Sequence, residues 1–104
     1  MNTLSKYLIE EATAISAAAE KLNDKEVNKA LSLLDSCSSN KSKLIVSGVG
    51  KSGIVARKIA ATFSSVGLTS IFLNPLDALH GDIGIVNKGD VCLLLSNSGE
   101  TTEL

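Results

Sequence analysis

Rings are scarce in this chain. Tryptophan is absent, there are one tyrosine and two phenylalanines, and aromatic residues make up 3% of the 104 residues. Such a surface has no stacking platform for nucleobases, and the core must be assembled from Leu, Ile, Val and Ala. An excess of positive charge is missing as well. The formal net charge is -1, whereas a nucleic-acid binder ordinarily carries a basic stripe, so no nucleic-acid partner is expected. Two cysteines, Cys37 and Cys92, lie far apart without CxxC or Cys/His ligand spacing, and no metal or cofactor is expected. With no basic and then apolar leader at the N-terminus, the expected compartment is the reducing cytoplasm. The longest apolar run, Val91–Leu95, is far too short to span a membrane, so no membrane partner is expected. Cys92 sits inside that run, which predicts a small buried residue.

What is present is the composition of one small packed domain: 44% hydrophobic and 20% charged residues, in a length too short for two domains. Leu4, Leu8, Ala12, Ile15, Ala19 and Leu22 recur at steps of three or four and predict an amphipathic helix. Asp24 is in place to cap a second helix carrying Val27, Leu31 and Leu34. Residues 1–40 thus read as a helical lead-in, placed to cover a sheet or to pair with another subunit. Residues 41–104 read differently. Leu44–Val46 predicts a buried strand. Ser52 is in place to cap a helix reaching about Val66, with Val55, Ile59, Phe63 and Val66 inward and Gly67 ending it. Ser70–Leu73 predicts a second strand stopped by Asn74-Pro75, and a short helix or turn follows around Leu76–His80. Lys88-Gly89-Asp90 reads as a turn, and Val91–Leu95 as a third buried strand. Alternating strands and helices imply βαβ units and a parallel sheet.

Two loops carry the polar chemistry. Gly48-Val49-Gly50-Lys51-Ser52-Gly53 follows a strand and opens a helix, where free N–H groups and the helix dipole favour an anion. Lys51 adds a charge and Ser52 a hydroxyl. A Walker A loop needs glycine at position 45, where the chain has Ile45. The dinucleotide fingerprint G-x-G-x-x-G is matched by Gly48, Gly50 and Gly53, but the acid expected at the end of the next strand is replaced by Leu73-Asn74. A sugar-phosphate loop and a plain strand–helix turn with a solvated lysine also fit. The second loop, Ser96 to Glu103, offers four hydroxyls, one amide and one glycine within seven residues. That set suits a phosphate, although it equally suits a capped helix start. In a sheet of order 2-1-3 the first and third strands are neighbours, and ligands bind at the reversal point beyond their carboxyl ends. This order would bring the two loops together, with Lys51 and Glu103 in reach of one small molecule.

The segments GVGKSG, RKIAATFSSVG (Arg57–Gly67), ALHGDIGIV (Ala78–Val86) and SNSGETTEL (Ser96–Leu104) resemble the sugar isomerase (SIS) domain, and within it the arabinose-5-phosphate isomerase family. The resemblance implies a three-layer α/β/α, doubly wound, flavodoxin-like parallel sheet. Here it stops after the third strand and follows a helical lead-in. It implies interconversion of D-arabinose 5-phosphate and D-ribulose 5-phosphate, which supplies the lipopolysaccharide sugar Kdo. By position, Lys51 and Glu103 resemble the catalytic residues, and Ser52, Ser96, Ser98 and Thr101 the phosphate ligands. His80 resembles a substrate contact, with Gly67 and Leu68 near the substrate. Where the family often has histidine, this chain has Asn74. Family members continue with further SIS strands and often paired CBS domains, and supply another glutamate and a histidine to the site. The chain is therefore expected to be marginally stable alone, to show little isomerase activity by itself, and to form a homo-oligomer when complete. A non-catalytic phosphosugar sensor and a dinucleotide-binding oxidoreductase are the competing readings.

Overall fold

The computed structural model describes residues 1–79 and 81–97, with backbone alone at 82 and 83. The chain forms two compact units, Met1–Leu31 and Ser32–Leu104.

The first unit holds α1 (Thr3–Lys21) and the start of α2 (Asp24–Ser39). Asn2 caps α1, its side-chain oxygen accepting the Ser5 N–H at 2.7 Å. At α2 the predicted cap is displaced by one residue. Asn23 Oδ1 accepts the Glu26 N–H at 3.2 Å, which leaves Asp24 as the first helical residue, where its charge complements the dipole. No residue of α1 is buried. The periodic apolar stripe that predicted the helix, including Leu4, Leu8 and Ile15, is exposed.

The second unit contains β1 (Leu44–Gly48), α3 (Lys51–Ser65), β2 (Ser70–Phe72), α4 (Pro75–Leu79), a 3-10 turn (Asp82–Ile85) and β3 (Val91–Leu95). The strands form a parallel sheet of order β2-β1-β3, as the βαβ alternation predicts. β1 is central and all five of its residues are buried. Its alternate residues Leu44 and Val46 meet Ala56 and Ala60 of α3, flanked by Ile59, Phe63 and, from α2, Leu34. On the opposite face Ser47 donates its hydroxyl to the Leu73 carbonyl at 2.6 Å, while Leu73 N–H donates to the Val46 carbonyl at 2.9 Å.

Two sequence expectations about the core need correction. The inner face of α3 is Gly53, Ala56 and Ala60, with Ile59 and Phe63 beside them. Val55 and Val66 point outward, at 53% and 75% exposure. Small side chains at the centre of the contact let the helix lie close to the sheet, so the bulkiest apolar residues do not mark the inner stripe. Cys92 is exposed, not buried. β3 alternates, with Val91, Leu93 and Leu95 packed on the core and Cys92 and Leu94 on the exposed face. A run of five apolar residues suggests burial on both faces, but in the described residues only the face toward α3 is covered at β3.

The ends of α3 are set by backbone chemistry. At its C-terminus Gly67, with φ 99°, donates to the Ser64 carbonyl, and Leu68 donates to that of Phe63 at 3.0 Å. This is the paired 5→2 and 6→1 closure of a Schellman motif. At the amino end of the sheet, Asp90 clips β3 to β1. Its carboxylate accepts from Lys43 Nζ at 2.6 Å, from Lys43 N–H at 3.1 Å and from Asn87 N–H at 2.7 Å. The ammonium and these two amides hold the Asp90 carboxyl down at about 2, from an ordinary 3.8.

Candidate functional site

β1 and β3 end side by side, because Gly48 pairs with Leu95 in the parallel register. The residues that follow, Val49–Lys51 on one strand and Ser96–Asn97 on the other, therefore leave the sheet at adjacent points on its carboxyl edge. Between them lies an open cleft of ≈ 410 Å³ lined by Lys51, Ser52, Val55, Leu95, Ser96 and Asn97. The sheet order reverses between these two strands, which makes this the topological switch point where ligands of doubly wound sheets sit.

The glycines of the first loop have distinct jobs. Gly50 takes φ 63° and ψ -127° as the residue before α3, a conformation that a side chain strongly disfavours. Gly48 and Gly53 are required by space. A Cβ on Gly53 would stand 2.6 Å from the Gly48 carbonyl oxygen, and one on Gly48 would stand 2.8 Å from the Ser52 backbone. The loop thus folds the first turn of α3 directly onto the end of β1. The first helical hydrogen bond is Ile54 N–H to the Gly50 carbonyl, so the amides before Ile54 have no partner within the helix. They provide a partial positive charge next to the Lys51 ammonium. α3 carries Lys51, Arg57 and Lys58 and no acid, which leaves that charge uncompensated within the helix.

Ser52 does not cap α3 as its sequence position suggested. Gly50 is the residue before the helix and no side chain caps it. Ser52 is the second helical residue, half-buried, with its place on the cleft wall. Lys51 is exposed at the mouth. Three of the sequence-nominated residues, Lys51, Ser52 and Ser96, are brought together here. Gly67 and Leu68 are not. They precede β2 and border a separate hollow with Cys37, Lys41 and Thr69. That places them beyond the amino edge of the sheet, about 13 Å away at the rise of a five-residue strand. His80, Ser98, Thr101 and Glu103 lie outside the described residues. The cleft also includes Val55 and Asn97, which sequence reasoning did not single out. Val55 is one helical turn beyond Lys51, a spacing that marks a shared face, and Asn97 belongs to the polar run itself.

A parallel doubly wound sheet with an open cleft at its switch point, carrying Lys51, Ser52, Ser96 and Asn97 on a partly apolar wall, defines a class of ligand-binding α/β domains. Comparison with known proteins makes the class specific: residues 38–104 match the SIS domain, and the chain belongs to that family. It is 38% identical to arabinose 5-phosphate isomerase KpsF of Escherichia coli O6:H1 over 104 residues, which is 100% of this chain and 31% of that protein. It is 43% identical to an uncharacterized protein of Rickettsia prowazekii over 101 residues, covering 97% of this chain and 31% of that protein. Among solved structures, an Escherichia coli CFT073 protein in complex with arabinose 5-phosphate superimposes with a TM-score of 0.77. It shares 42% identity over 99% of this chain and 56% of that one. A phosphosugar isomerase-like protein of Bacteroides fragilis described as involved in capsule formation gives 0.82 at 38% identity, covering 96% of this chain and 53% of that one. The chain spans about a third of the length of the curated relatives it matches.

Proposed function

We propose that this chain is the phosphosugar-binding part of an aldose–ketose isomerase acting on D-arabinose 5-phosphate and D-ribulose 5-phosphate. The observation that carries the reading is the convergence of Lys51 and Ser52 with Ser96 and Asn97 in one cleft at the switch point. The relatives named arabinose 5-phosphate isomerase, and the neighbour holding that sugar, support the choice of substrate. In this reading the phosphate is held by the hydroxyls of Ser52, Ser96, Ser98 and Thr101. His80 contacts the sugar, and Gly67 and Leu68 lie near it in the complete assembly. Isomerisation passes through an enediol. Glu103 takes the proton from C2 of the aldose and returns it at C1, while the proton of the C2 hydroxyl moves to the C1 oxygen. Lys51 stabilises the negative oxygen of the enediolate. The complete protein works as a homo-oligomer in the cytoplasm and supplies the precursor of Kdo for lipopolysaccharide.

The test is a thermal-shift and calorimetric comparison of arabinose 5-phosphate with NAD on the 104-residue chain. Stabilisation by the sugar phosphate, absent with NAD and lost in Lys51→Ala, is the expected result. Stabilisation by NAD in place of the sugar would move the chain to the dinucleotide class suggested by Gly48, Gly50 and Gly53. Equal sugar binding in Lys51→Ala would remove the lysine from its role.

A further inference from the structure

The cleft between the two loops has a polar rim and an apolar floor. Lys51, Ser52, Ser96 and Asn97 belong to the first residues of α3 and to the run after β3, while Val55 and Leu95 stand further toward the body of the sheet. Leu95 is the last residue of β3 and packs on the core cluster. Val55 does not. It is more than half exposed and lies outside that cluster. It follows Ser52 by three positions and Lys51 by four, so the three side chains share one face of the helix. Arg57, two residues further on, goes the other way, its guanidinium 4.1 Å from the centroid of the Phe72 ring. Beyond the first turn of α3, Val55 is the one side chain among the described residues that lines the cleft. Its branched Cβ leaves χ1 little freedom in a helix, so this part of the wall is stiff. It offers a ligand neither donor nor acceptor.

We propose that Val55 limits the length of sugar that the cleft accepts, selecting a five-carbon phosphate over a six-carbon one. The inference rests on the phosphosugar reading above, in which hydroxyls including Ser52 and Ser96 hold the phosphate and Lys51 meets the reacting carbons. Both ends of the ligand are then fixed. A hexose 6-phosphate carries one more CHOH group between those ends than a pentose 5-phosphate, and the longer chain must bow out of the line joining them. Val55 stands beside both anchors on the same helix face, so the bowed segment meets its methyl groups. The extra hydroxyl loses water there and gains no partner. An apolar wall rejects a ligand that merely adds a hydroxyl by up to about a hundredfold. Val55 is a specificity-determining residue in this scheme and takes no part in the proton transfers.

The experiment is a calorimetric titration of the 104-residue chain with D-arabinitol 5-phosphate and D-glucitol 6-phosphate. These linear alcohols differ by one CHOH group and neither cyclise nor isomerise. Inorganic phosphate reports the phosphate anchor alone. The parent chain should prefer the five-carbon ligand by about tenfold or more. Val55→Thr keeps the shape of the side chain and adds a hydroxyl. It should narrow that preference by about fivefold or more and leave affinity for inorganic phosphate within about twofold. Val55→Ile should keep the preference. Equal affinity of the parent chain for the two alcohols would overturn the proposal, and that outcome is read without any substitution. An unchanged ratio in folded Val55→Thr and Val55→Ala would overturn it as well. Both of those results leave phosphosugar binding in place. A parent chain that binds neither alcohol nor inorganic phosphate would instead sink the phosphosugar reading, and the role of Val55 with it.

Discussion

The two ends of β1 are built from the same kinds of residue and put to opposite use. At the amino end, Lys43 and Asp90 satisfy one another: the Asp90 side chain is 3% exposed and its carboxylate collects three donors. At the carboxyl end, Lys51 stands exposed beside helix-start amides that have no partner inside α3. A lysine that has found its carboxylate is structural, and a lysine left at the mouth of a cleft beside unspent donors is available to a ligand. Side-chain type does not separate the two; position relative to the strand ends does.

Substitutions at these two ends should therefore fail in different ways. The largest effect is expected at Gly53, where the ends of β1 and α3 touch. Gly53→Ala forces a methyl to within 2.6 Å of the Gly48 carbonyl oxygen, and overpacking of this kind costs about 1–3 kcal/mol. Denaturant melts should show that loss together with weakened sugar-phosphate binding, because the loop must shift. A fully stable Gly53→Ala would mean the loop is softer than its contacts indicate. Next comes Lys51→Ala, whose stability change should stay within about 0.5 kcal/mol for an exposed site. Its affinity for arabinose 5-phosphate should fall by about tenfold or more, as for a lost charged hydrogen bond. Calorimetry and a melt on the same sample would separate the two quantities.

The amino end should reverse that pattern. Asp90→Asn is expected to lower the melting temperature at neutral pH while leaving sugar-phosphate affinity within about twofold, since distant sites act nearly independently. The pH dependence supplies its own check. The Asp90 carboxyl is lowered from 3.8 to about 2 in the folded chain, so between those values the unfolded chain holds more protons. Stability contributed by this group is then complete above pH 3.8 and is lost as pH falls through about 2. Melts across that window should slope downward with acid in the parent chain and be flatter in Asp90→Asn. The smallest perturbation is thiol labelling. Cys92 should react with a maleimide in the folded chain, and Cys37, which is fully buried and donates to the Lys43 carbonyl, should react only on unfolding. Rapid labelling of Cys37 under native conditions would show that the lower edge of the sheet opens.

Much of the fold was legible because it depends on local patterns. Apolar periodicity marked α1 and α2, short apolar runs ending in glycine or proline marked β1 and β2, and the alternation of the two implied a parallel sheet. What failed depended on which neighbour arrived. Cys92 and Val55 are apolar residues in apolar segments, and nothing in their segments says that one faces outward on β3 and the other outward on α3. Gly53, Ala56 and Ala60 were overlooked as the inner stripe because smallness reads as neutral until a sheet is placed against it. Asp90 read as a turn residue, since its partner Lys43 is 47 positions away.

By itself, the sequence determined which polar groups the two loops offer. A glycine-rich strand–helix loop with Lys51 and a hydroxyl-rich run from Ser96 can be read without coordinates, because residue type and spacing fix what a loop offers. Only the tertiary structure decided that Gly48 pairs with Leu95 and so sets the two loops in one cleft. It also decided that Arg57, six residues beyond Lys51, turns to the other side of the same loop over Phe72. Those pairings are long-range. They are set by strand order and by the close packing that the glycines permit, and no local window of the sequence contains both partners. Lys51 and Ser52 meet Ser96 and Asn97 in one cleft only because β1 lies between β2 and β3.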